Sequence, residues 1–251
     1  MKHVFITGGS RGIGAALVRT HLKRGYRVSV LDLEIAAAIS GEMRSFVGDA
    51  SDETVLKATL IEAEKQLGPI DRWIFNAGVT VVGPFHKQTS EERDRVMRIN
   101  WGGVLAGCSL VVNSLKERRP EKHGELVLIS SLSALLPAPF IATYAASKAA
   151  VLALGRALAE EAKMTGLPLD VKIVLPGFVE TDMIHQGAAR GYDLPPGAQR
   201  FVISADTAAE KIFSGIPRSR VEIFVGPGAR LLTQMFAFAP SLARAVLRFF
   251  Y

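Results

Sequence analysis

Tyr144 and Lys148 are the two side chains whose types and spacing best fit a shared reaction site. They are four residues apart in a stretch rich in alanine and leucine that has no proline before Pro168, which predicts a helix. On a helix, residues at i and i+4 share a face. A free tyrosine, with a pKa of about 10, is a poor base at neutral pH, but a nearby ammonium lowers that pKa. The pair could act as a general acid and base, although the same spacing is typical of exposed helix pairs.

Residues 8–14, Gly-Gly-Ser-Arg-Gly-Ile-Gly, follow a short apolar segment at 3–7 and precede a predicted helix at about 13–24. A strand, a glycine-rich turn and a helix in this order form the start of a dinucleotide-binding unit. In such a unit the backbone approaches a pyrophosphate, whose charge the helix N-terminus favours. The spacing is Gly-x-x-x-Gly-x-Gly rather than Gly-x-Gly-x-x-Gly, so an ordinary tight turn is the alternative.

Asp32 ends the predicted second strand, 27–31. An acidic residue there can accept hydrogen bonds from ribose hydroxyls and repel a 2′-phosphate, which favours NAD over NADP. Arg11 favours the opposite choice, because it could face a 2′-phosphate. We therefore expect NAD as the preferred cofactor and keep NADP open. The alternative role of Asp32 is a turn or helix cap.

Strands and helices alternate along the whole chain. Further strands are predicted at 45–48, 71–75, 125–129, 170–175 and 221–225, with helices at about 51–67, from Ser90, from Thr143 and at about 206–214. Ser51 is the expected N-cap of the first of these helices. The alternation predicts an α/β fold, a Rossmann-like doubly wound parallel sheet of about seven strands. We expect one domain, with a catalytic part at 1–227, a substrate loop at about 180–203 and a tail at 228–251.

In this order the motifs resemble those of the short-chain dehydrogenase/reductase (SDR) family, single-domain type, over about residues 3–225. The resemblance implies a catalytic set of Tyr144, Lys148, Ser131 and Asn100. Ser131 precedes the tyrosine by thirteen residues, the spacing of many members. The alternatives are Ser130, which fits a hydrogen-bonding role at a strand end, and Ser133, in the loop.

The resemblance also implies a cofactor site. Asp49 would meet the adenine ring, Asn76-Ala77-Gly78 would stabilise the sheet beside the cofactor, and Pro176-Gly177 with Thr181 would touch the nicotinamide. The full set expected to bind NAD or NADP is Gly8, Ser10, Arg11, Gly12, Ile13, Gly14, Asp32, Asp49, Ala50, Asn76, Ala77, Gly78, Tyr144, Lys148, Pro176, Gly177, Val179 and Thr181.

The implied reaction is hydride transfer between the nicotinamide and the carbon of an alcohol or ketone. Tyr144 would transfer the proton, Lys148 would lower the pKa of Tyr144 and bind the ribose, and Ser131 would donate to the substrate oxygen. Asn100 would hold a water molecule in a proton relay, or act as a polar, helix-kinking residue in the core. The alternative function is a sensor or scaffold that binds NAD(H) without turnover.

The expected substrate is an alcohol or ketone that is apolar or lipid-like. Segment 183–203 holds apolar residues stiffened by two prolines, and segments 79–85 and 132–140, which would form the other walls, are also largely apolar. Members of this family differ most in the first of these segments, so the resemblance does not identify the substrate.

The composition excludes several other classes of protein. The chain has 251 residues, a net charge of +6 and one cysteine, Cys108, which excludes an internal disulfide and a multi-cysteine metal site. The basic charge is compatible with nucleic acid, but no recognition motif supports such a partner, and none is expected. The five histidines lack ligand spacing, so we expect surface or cap positions and no metal. A cytoplasmic protein is expected.

Two further expectations concern contacts with other molecules. Small residues at 102, 103, 106 and 107 and at 150, 153 and 157 allow close helix approach, and in the SDR family the corresponding helices pair across subunits, which implies a homodimer or homotetramer. The tail carries only positive charges, Arg230, Arg244 and Arg248, among large apolar residues. It could make a peripheral membrane contact, pack on a partner subunit or close over the substrate site.

Overall fold

The structure is a computed structural model that describes residues 1–37, 40–116, 123–183, 197–239 and 241. The described residues form nine strands: β1 (His3–Thr7), β2 (Arg27–Asp32), β3 (Met43–Val47), β4 (Arg72–Phe75), β5 (Gly124–Ile129), β6 (Leu169–Pro176), β7 (Val179–Glu180), β8 (Ile203–Ser204) and β9 (Glu222–Val225). Strands β7 and β8 pair only with each other, and the sequence did not predict them.

The other seven strands form one parallel sheet in the order β3-β2-β1-β4-β5-β6-β9. The predicted doubly wound α/β fold is therefore confirmed. The strand order reverses between β1 and β4, so the connections leave these two strands in opposite directions. In open parallel sheets, ligands bind in the crevice outside the carboxyl ends of the strands at such a point.

The described helices cover both faces of this sheet. They are α1 (Gly12–Lys23), α2 (Glu53–Leu67), α3 (Ser90–Met97), α4 (Gly103–Lys116), α5 (Ala142–Thr165), α6 (Ala205–Gly215) and α7 (Ala229–Phe238). One apolar cluster joins α1 and α6 to the sheet, and a second joins α2, α4 and α5 to its other face. Because both faces are covered, the central strands are almost continuously apolar, and all five residues of β1 are buried.

Two helix predictions need correction. The N-cap of α2 is Asp52 rather than Ser51, since the Asp52 carboxylate accepts from the backbone N–H groups of Thr54 and Val55. The long helix predicted from Ser90 is interrupted by a π-helical turn, Arg98–Gly102. Such turns often occur at functional sites, and this one contains Asn100.

The histidine prediction is wrong at two positions. His3 and His21 are fully buried, and both ring nitrogens of each are hydrogen-bonded. Their partners come from distant parts of the sequence, such as Gly68 for His3 and Arg72 for His21, and local patterns do not reveal such partners. His86 and His123 are exposed as expected. His185 lies outside the described residues.

The small residues on α4 and α5 do not all serve one surface. A Cβ atom added at Gly107 would lie 2.3 Å from the Phe75 ring, and one at Gly103 would lie 2.9 Å from the Ala50 carbonyl oxygen. These two glycines therefore allow packing within the subunit, which corrects their assignment to a subunit contact. Ala153 and Ala157 are exposed on α5. None of the described helices is long and apolar enough to cross a membrane.

Candidate active site

The glycine-rich loop packs directly on the end of β4. Gly8 has a φ of +68°, and a Cβ atom there would lie 2.7 Å from Cα of Ala77. A Cβ atom at Gly14 would lie 1.9 Å from the carbonyl oxygen of Gly8. No larger residue fits at either position without movement of the backbone. The close approach places the loop at the point where the strand order reverses.

Hydrogen bonds fix this loop to the segment that follows β4. The Asn76 side-chain amide donates to the carbonyl oxygens of Thr7, at 3.2 Å, and Gly8, at 2.8 Å. In return, the Thr7 hydroxyl oxygen accepts from the backbone N–H groups of Asn76 and Ala77, both at 3.1 Å. The structure thus brings together the two motifs that the sequence places almost 70 residues apart.

The N-terminus of α1 has the features of an anion site. Its first turn carries no acidic side chain, so the partial positive charge of the helix end is not offset there. Gly12 has a φ of +53°, and a Cβ atom there would lie 3.1 Å from Cγ2 of Thr181. The loop predicted to bind the pyrophosphate and a residue predicted to contact the nicotinamide therefore lie side by side, and this cradle fits a dinucleotide.

Asp32 lies at the end of β2 as predicted, with its carboxylate turned to the glycine loop. Its two oxygens accept from the backbone N–H groups of Ser10, at 2.8 Å, and Leu33, at 2.7 Å. Arg11, which we expected to be able to face a 2′-phosphate, forms a 2.6 Å ion pair with Glu34. Sequence reasoning missed Glu34, although its acidic type two residues after the strand end was the available signal.

Asp49 follows β3 and is held by two neighbours. Its carboxylate accepts from the Ser51 backbone N–H and hydroxyl, at 2.9 and 2.6 Å, and from the Arg98 guanidinium at 2.7 Å. Burial opposes ionisation, but these hydrogen bonds outweigh it and lower the pKa of the Asp49 carboxyl. Arg98, which the sequence analysis did not single out, therefore orients the residue predicted to meet the adenine ring.

Tyr144 and Lys148 lie on one face of α5, as their spacing predicts. The Lys148 ammonium is buried, donates to the Ile129 carbonyl oxygen at 2.9 Å and lies 5.8 Å from the centre of the Tyr144 ring. Burial, with no counter-charge among the described residues, lowers the pKa of Lys148 to about 8. In the described part of the chain Ile129 is its one hydrogen-bond partner, although an ammonium has three N–H donors.

The pKa of Tyr144 differs from the sequence expectation. Burial raises it above its ordinary value, and a hydrogen bond with Ser131 acts in the opposite direction. Lys148 was expected to lower this pKa, but its ammonium is directed to the Ile129 carbonyl, and it is not among the groups that set the value. Ser131 is therefore the residue that favours the phenolate in this structure.

The three candidate serines have distinct roles. The Ser131 hydroxyl oxygen accepts from the backbone N–H and the hydroxyl of Ser133, at 3.1 and 3.0 Å. Because these contacts use its acceptor sites, its own proton remains for donation toward Tyr144 or a substrate oxygen. Ser130 is buried and donates to the Lys148 carbonyl oxygen at 2.7 Å, which agrees with its predicted role at a strand end.

Asn100 connects the loop after β4 to α5. Its side chain accepts from the Val79 backbone N–H at 2.8 Å and donates to the Val79 carbonyl at 2.9 Å and the Ser147 hydroxyl at 3.0 Å. Ser147 donates in turn to the Tyr144 carbonyl at 2.7 Å. A Cβ atom at Gly78 would lie 3.3 Å from both Asn100 Oδ1 and Lys148 Nζ, so these groups converge there.

The remaining predicted residues lie along the same edge. Pro176 ends β6, the Gly177 backbone N–H donates to the Val225 carbonyl at 2.8 Å, and Val179 is buried in β7. Ile13 lies in the first turn of α1, and Ala50 lies between β3 and α2. Residues 184–196 of the predicted substrate loop, with Ile184 and Leu194, lie outside the described residues, while Met183, Phe201 and Val202 are half-buried.

Comparison with known proteins shows the family. The short chain dehydrogenase family model matches residues 2–190. Acetoacetyl-CoA reductase of Paracoccus denitrificans is 31% identical over 189 residues, 73% of this chain and 76% of that protein. The 3-beta-hydroxysteroid dehydrogenase of Comamonas testosteroni is 31% identical over 196 residues, 76% of each chain. This chain therefore belongs to the short-chain dehydrogenase/reductase family, whose members are oxidoreductases acting on CH–OH and C=O groups.

Solved structures agree on the fold. A short-chain dehydrogenase/reductase from Burkholderia phymatum in complex with NAD has a TM-score of 0.84 at 22% identity, with 96% of this chain and 94% of that chain covered. A short chain dehydrogenase from Burkholderia cenocepacia in complex with NADP has a TM-score of 0.82 at 22% identity, with 98% and 99% covered. The similarity extends over almost the whole chain.

Proposed function

We propose that this protein is a nicotinamide-dependent oxidoreductase that interconverts an alcohol and a ketone, with Tyr144 as the proton-transferring residue. The observation that supports this most is the grouping of Ser131, Tyr144 and Lys148 beside the glycine-rich loop. A nicotinamide dinucleotide supplies the hydride acceptor or donor. Gly8, Gly12 and the N-terminus of α1 would hold its phosphates, and Asp32 would accept from its ribose.

In the proposed mechanism, Tyr144 removes the hydroxyl proton of an alcohol or donates a proton to the oxygen of a ketone. Ser131 donates a hydrogen bond to the same oxygen, because its acceptor sites are occupied by Ser133. Lys148, with a pKa of about 8, can exchange a proton near neutral pH and supply the tyrosine. Asn100 holds α5 against the loop after β4 and would order a water molecule beside Lys148.

NAD is the proposed preferred cofactor, with NADP as the alternative. Two acidic side chains, Asp32 and Glu34, lie near the expected position of the adenosine ribose, and Glu34 neutralises Arg11, the one cation that we expected there. A 2′-phosphate would therefore meet net negative charge. The test is the ratio of kcat/KM for NADH and NADPH. The proposal expects Glu34→Gln to shift this ratio toward NADPH because it frees Arg11, and a wild-type preference for NADPH would contradict it.

The proposed substrate is apolar or lipid-like. The two relatives named above act, by their names, on an acyl thioester and on a steroid. The expected walls, 79–85 and 132–140, carry Val81 and Leu136 as buried apolar side chains. We expect the wild-type protein to oxidise NADH with a panel of aliphatic, alicyclic and acyl-thioester ketones. Tight NADH binding with no turnover on the whole panel would instead support a non-catalytic sensor.

A homodimer or homotetramer is also proposed. What supports it is the outer surface of α4 and α5, where Leu105, Ala153 and Ala157 are exposed. Replacing Ala157 with Arg would place a large charged side chain on that surface. We expect light scattering to show an oligomer for the wild type and a smaller species for Ala157→Arg. A monomeric wild type would contradict the proposal.

The tail is proposed to make a peripheral contact with a membrane surface. Helix α7 exposes Leu231, Met235 and Phe238, and Arg230 is the one charged residue within it. Flotation with anionic vesicles should recover the wild-type protein and less of Phe238→Glu, while Met164→Glu, an equally exposed change at the end of α5, should behave like the wild type. Equal behaviour of all three proteins would favour packing on a partner subunit or over the site.

A further inference from the structure

The first turn of α5 holds Tyr144 but lacks the usual stabilisation of a helix start. Tyr144 is the third residue of this helix, Ala142–Thr165. The residue before the helix, Ile141, makes no side-chain cap hydrogen bond, and the first turn has no acidic side chain. A helix end without these features tends to fray, because its first N–H groups have no partner within the helix. Tyr144 is therefore held in place by contacts from other parts of the chain.

The Thr143 hydroxyl makes one of these contacts. It donates to the Gln88 side-chain oxygen at 2.7 Å, and the Gln88 side-chain nitrogen donates to the Gly83 carbonyl oxygen at 3.0 Å. Thr143 and Gln88 are only 7% and 4% exposed, so water does not compete for these bonds. The residue directly before Tyr144 is thus joined to the loop after β4.

The backbone of Gln88 is itself held at a fixed helix start. Gln88 directly precedes Thr89, whose side chain forms a capping box with that of Glu92 at the start of α3. The Arg93 guanidinium also donates to the Gln88 carbonyl oxygen. The partner of the Thr143 hydroxyl is therefore anchored to α3 rather than carried on a free loop.

A second chain of hydrogen bonds reaches the same loop from the other side of Tyr144. The Ser147 hydroxyl donates to the Tyr144 carbonyl oxygen at 2.7 Å and accepts from Asn100 at 3.0 Å. Asn100 in turn bonds both backbone groups of Val79, at 2.8 and 2.9 Å. Val79 and Gly83 belong to one short segment of the chain. The loop after β4 therefore fixes the first turn of α5 through residues on both sides of the tyrosine.

We propose that Gln88 is a positioning residue that, through Thr143, sets where the Tyr144 hydroxyl meets the substrate oxygen. This inference rests on the proposed function and adds to it a residue that acts through another. Proton transfer requires the two oxygen atoms at hydrogen-bond distance, and a misplacement of about 1 Å can lower turnover by about a hundredfold. Loss of the bond lets the first turn shift, which slows proton transfer but leaves the glycine-rich loop unchanged.

The experiment compares Thr143→Val, Gln88→Met, their double variant and Thr143→Ser in the full chain. The first two changes remove the bond and nearly keep the side-chain volume, whereas Thr143→Ser keeps the hydroxyl. With a ketone that the wild type reduces, we expect kcat per NADH-binding site to fall by about ten- to a hundredfold in Thr143→Val and in Gln88→Met. The Kd for NADH should stay unchanged, and Thr143→Ser should keep kcat close to that of the wild type.

The double variant and a control separate turnover from stability. Thr143→Val leaves the Gln88 oxygen buried without its donor and should lower the melting temperature. The double variant removes both polar partners, so it should regain part of that loss while its kcat stays low. Thr59→Val removes another buried hydroxyl, which donates to the Val55 carbonyl oxygen at 2.8 Å on α2. This control should leave kcat unchanged.

Each contrary outcome has a defined meaning. A wild-type kcat in Thr143→Val or Gln88→Met overturns this inference alone. Recovery of kcat together with the melting temperature in the double variant also overturns it, because the bond would then be only structural. Failure of all three bond-removing variants to fold has the same meaning. Absence of wild-type turnover on the whole ketone panel overturns the proposed function, and this inference with it.

Discussion

The two ends of the sheet both hold polar side chains out of contact with solvent. At the amino ends of the strands the buried residues are His3, His21 and Arg72. At the carboxyl ends Lys148 is buried and Tyr144 is half-buried. At the amino ends these three side chains have hydrogen-bond partners, whereas the buried Nε of Arg27, at the start of β2, has none among the described residues. His21 accepts from Arg72 at 2.8 Å, and Arg72 donates to Glu125 at 2.8 and 3.0 Å. This network of paired side chains holds α1 and the starts of the strands together.

At the carboxyl ends the polar side chains are less completely paired. Lys148 has no carboxylate partner among the described residues, and Ser131 keeps a proton to donate. Burial moves the pKa of Lys148 down and that of Tyr144 up, so both groups favour their neutral forms. The comparison shows that burial of titratable groups does not by itself indicate chemistry. What distinguishes the carboxyl ends is an incompletely paired group, Lys148, whose pKa of about 8 lies near neutral and which adjoins the loop after β4.

The largest expected stability effect is at the amino ends. Arg72→Met would leave the Glu125 carboxylate and Nε2 of His21 without their donor, so we expect a loss of about 4 kcal/mol in the free energy of unfolding. Arg156→Met, which breaks the exposed ion pair with Glu222, should lower it by about 1 kcal/mol or less. Denaturant unfolding measures both. Equal effects would contradict the view that the amino-end network is structural.

Replacing Lys148, the buried cation at the carboxyl ends, should instead raise the free energy of unfolding. A pKa of about 8 for Lys148, against an ordinary 10.5, corresponds to about 3 kcal/mol of destabilisation, from which the lost bond to Ile129 removes about 1. We therefore expect the free energy of unfolding of Lys148→Met to exceed that of the wild type by roughly 2 kcal/mol at pH 7. The same variant should lose turnover.

The gain in stability of Lys148→Met should shrink as the pH rises. The unfolded lysine holds its proton up to about pH 10.5, whereas the folded one releases it near pH 8. The penalty is present in full below pH 8 and disappears as the pH rises toward 10.5. Unfolding curves at pH 7 and pH 10.5 should show the advantage of Lys148→Met shrinking. A less stable variant at both values would contradict an unpaired, buried ammonium.

The effect of His21 is confined to acid and is absent at neutral pH. Burial first, and then the positive charges of Arg72 and Arg24, lower its pKa to about 3. The unfolded histidine binds a proton near pH 6.5 but the folded one does not, so stability falls with pH between about 6.5 and 3, by at most about 1.4 kcal/mol per pH unit. His21→Gln should flatten this dependence, and the exposed His86→Gln should not. Identical slopes in all three proteins would contradict the prediction.

Features governed by local pattern were predicted well from the sequence. The limits of β1 agree with the predicted segment because an apolar run between polar residues defines it, and the face shared by Tyr144 and Lys148 follows from helix geometry. The π-helical turn at Asn100 was not predicted, because it depends on bonds to Val79 in another segment.

Residues that act through long-range contacts were missed for the same reason. The pairing of Arg11 with Glu34 and of Arg98 with Asp49 arises between loops that meet only when the strand order is known. Gln88 gives no local signal of its bond to Thr143, 55 residues away. The positive φ of Phe140, +69°, likewise cannot be read from the sequence.

The most direct test of the central claim is the turnover of Tyr144→Phe, which removes one hydroxyl and keeps the ring in place beside Lys148. With a ketone that the wild type reduces, we expect kcat to fall by about a thousandfold or more while NADH binding changes little, because only the proton donor is lost. Tyr26→Phe, which alters a tyrosine that packs on His21 at the amino ends, should keep its turnover. Near-normal turnover in Tyr144→Phe, at saturating cofactor and ketone, would contradict the assignment of the site.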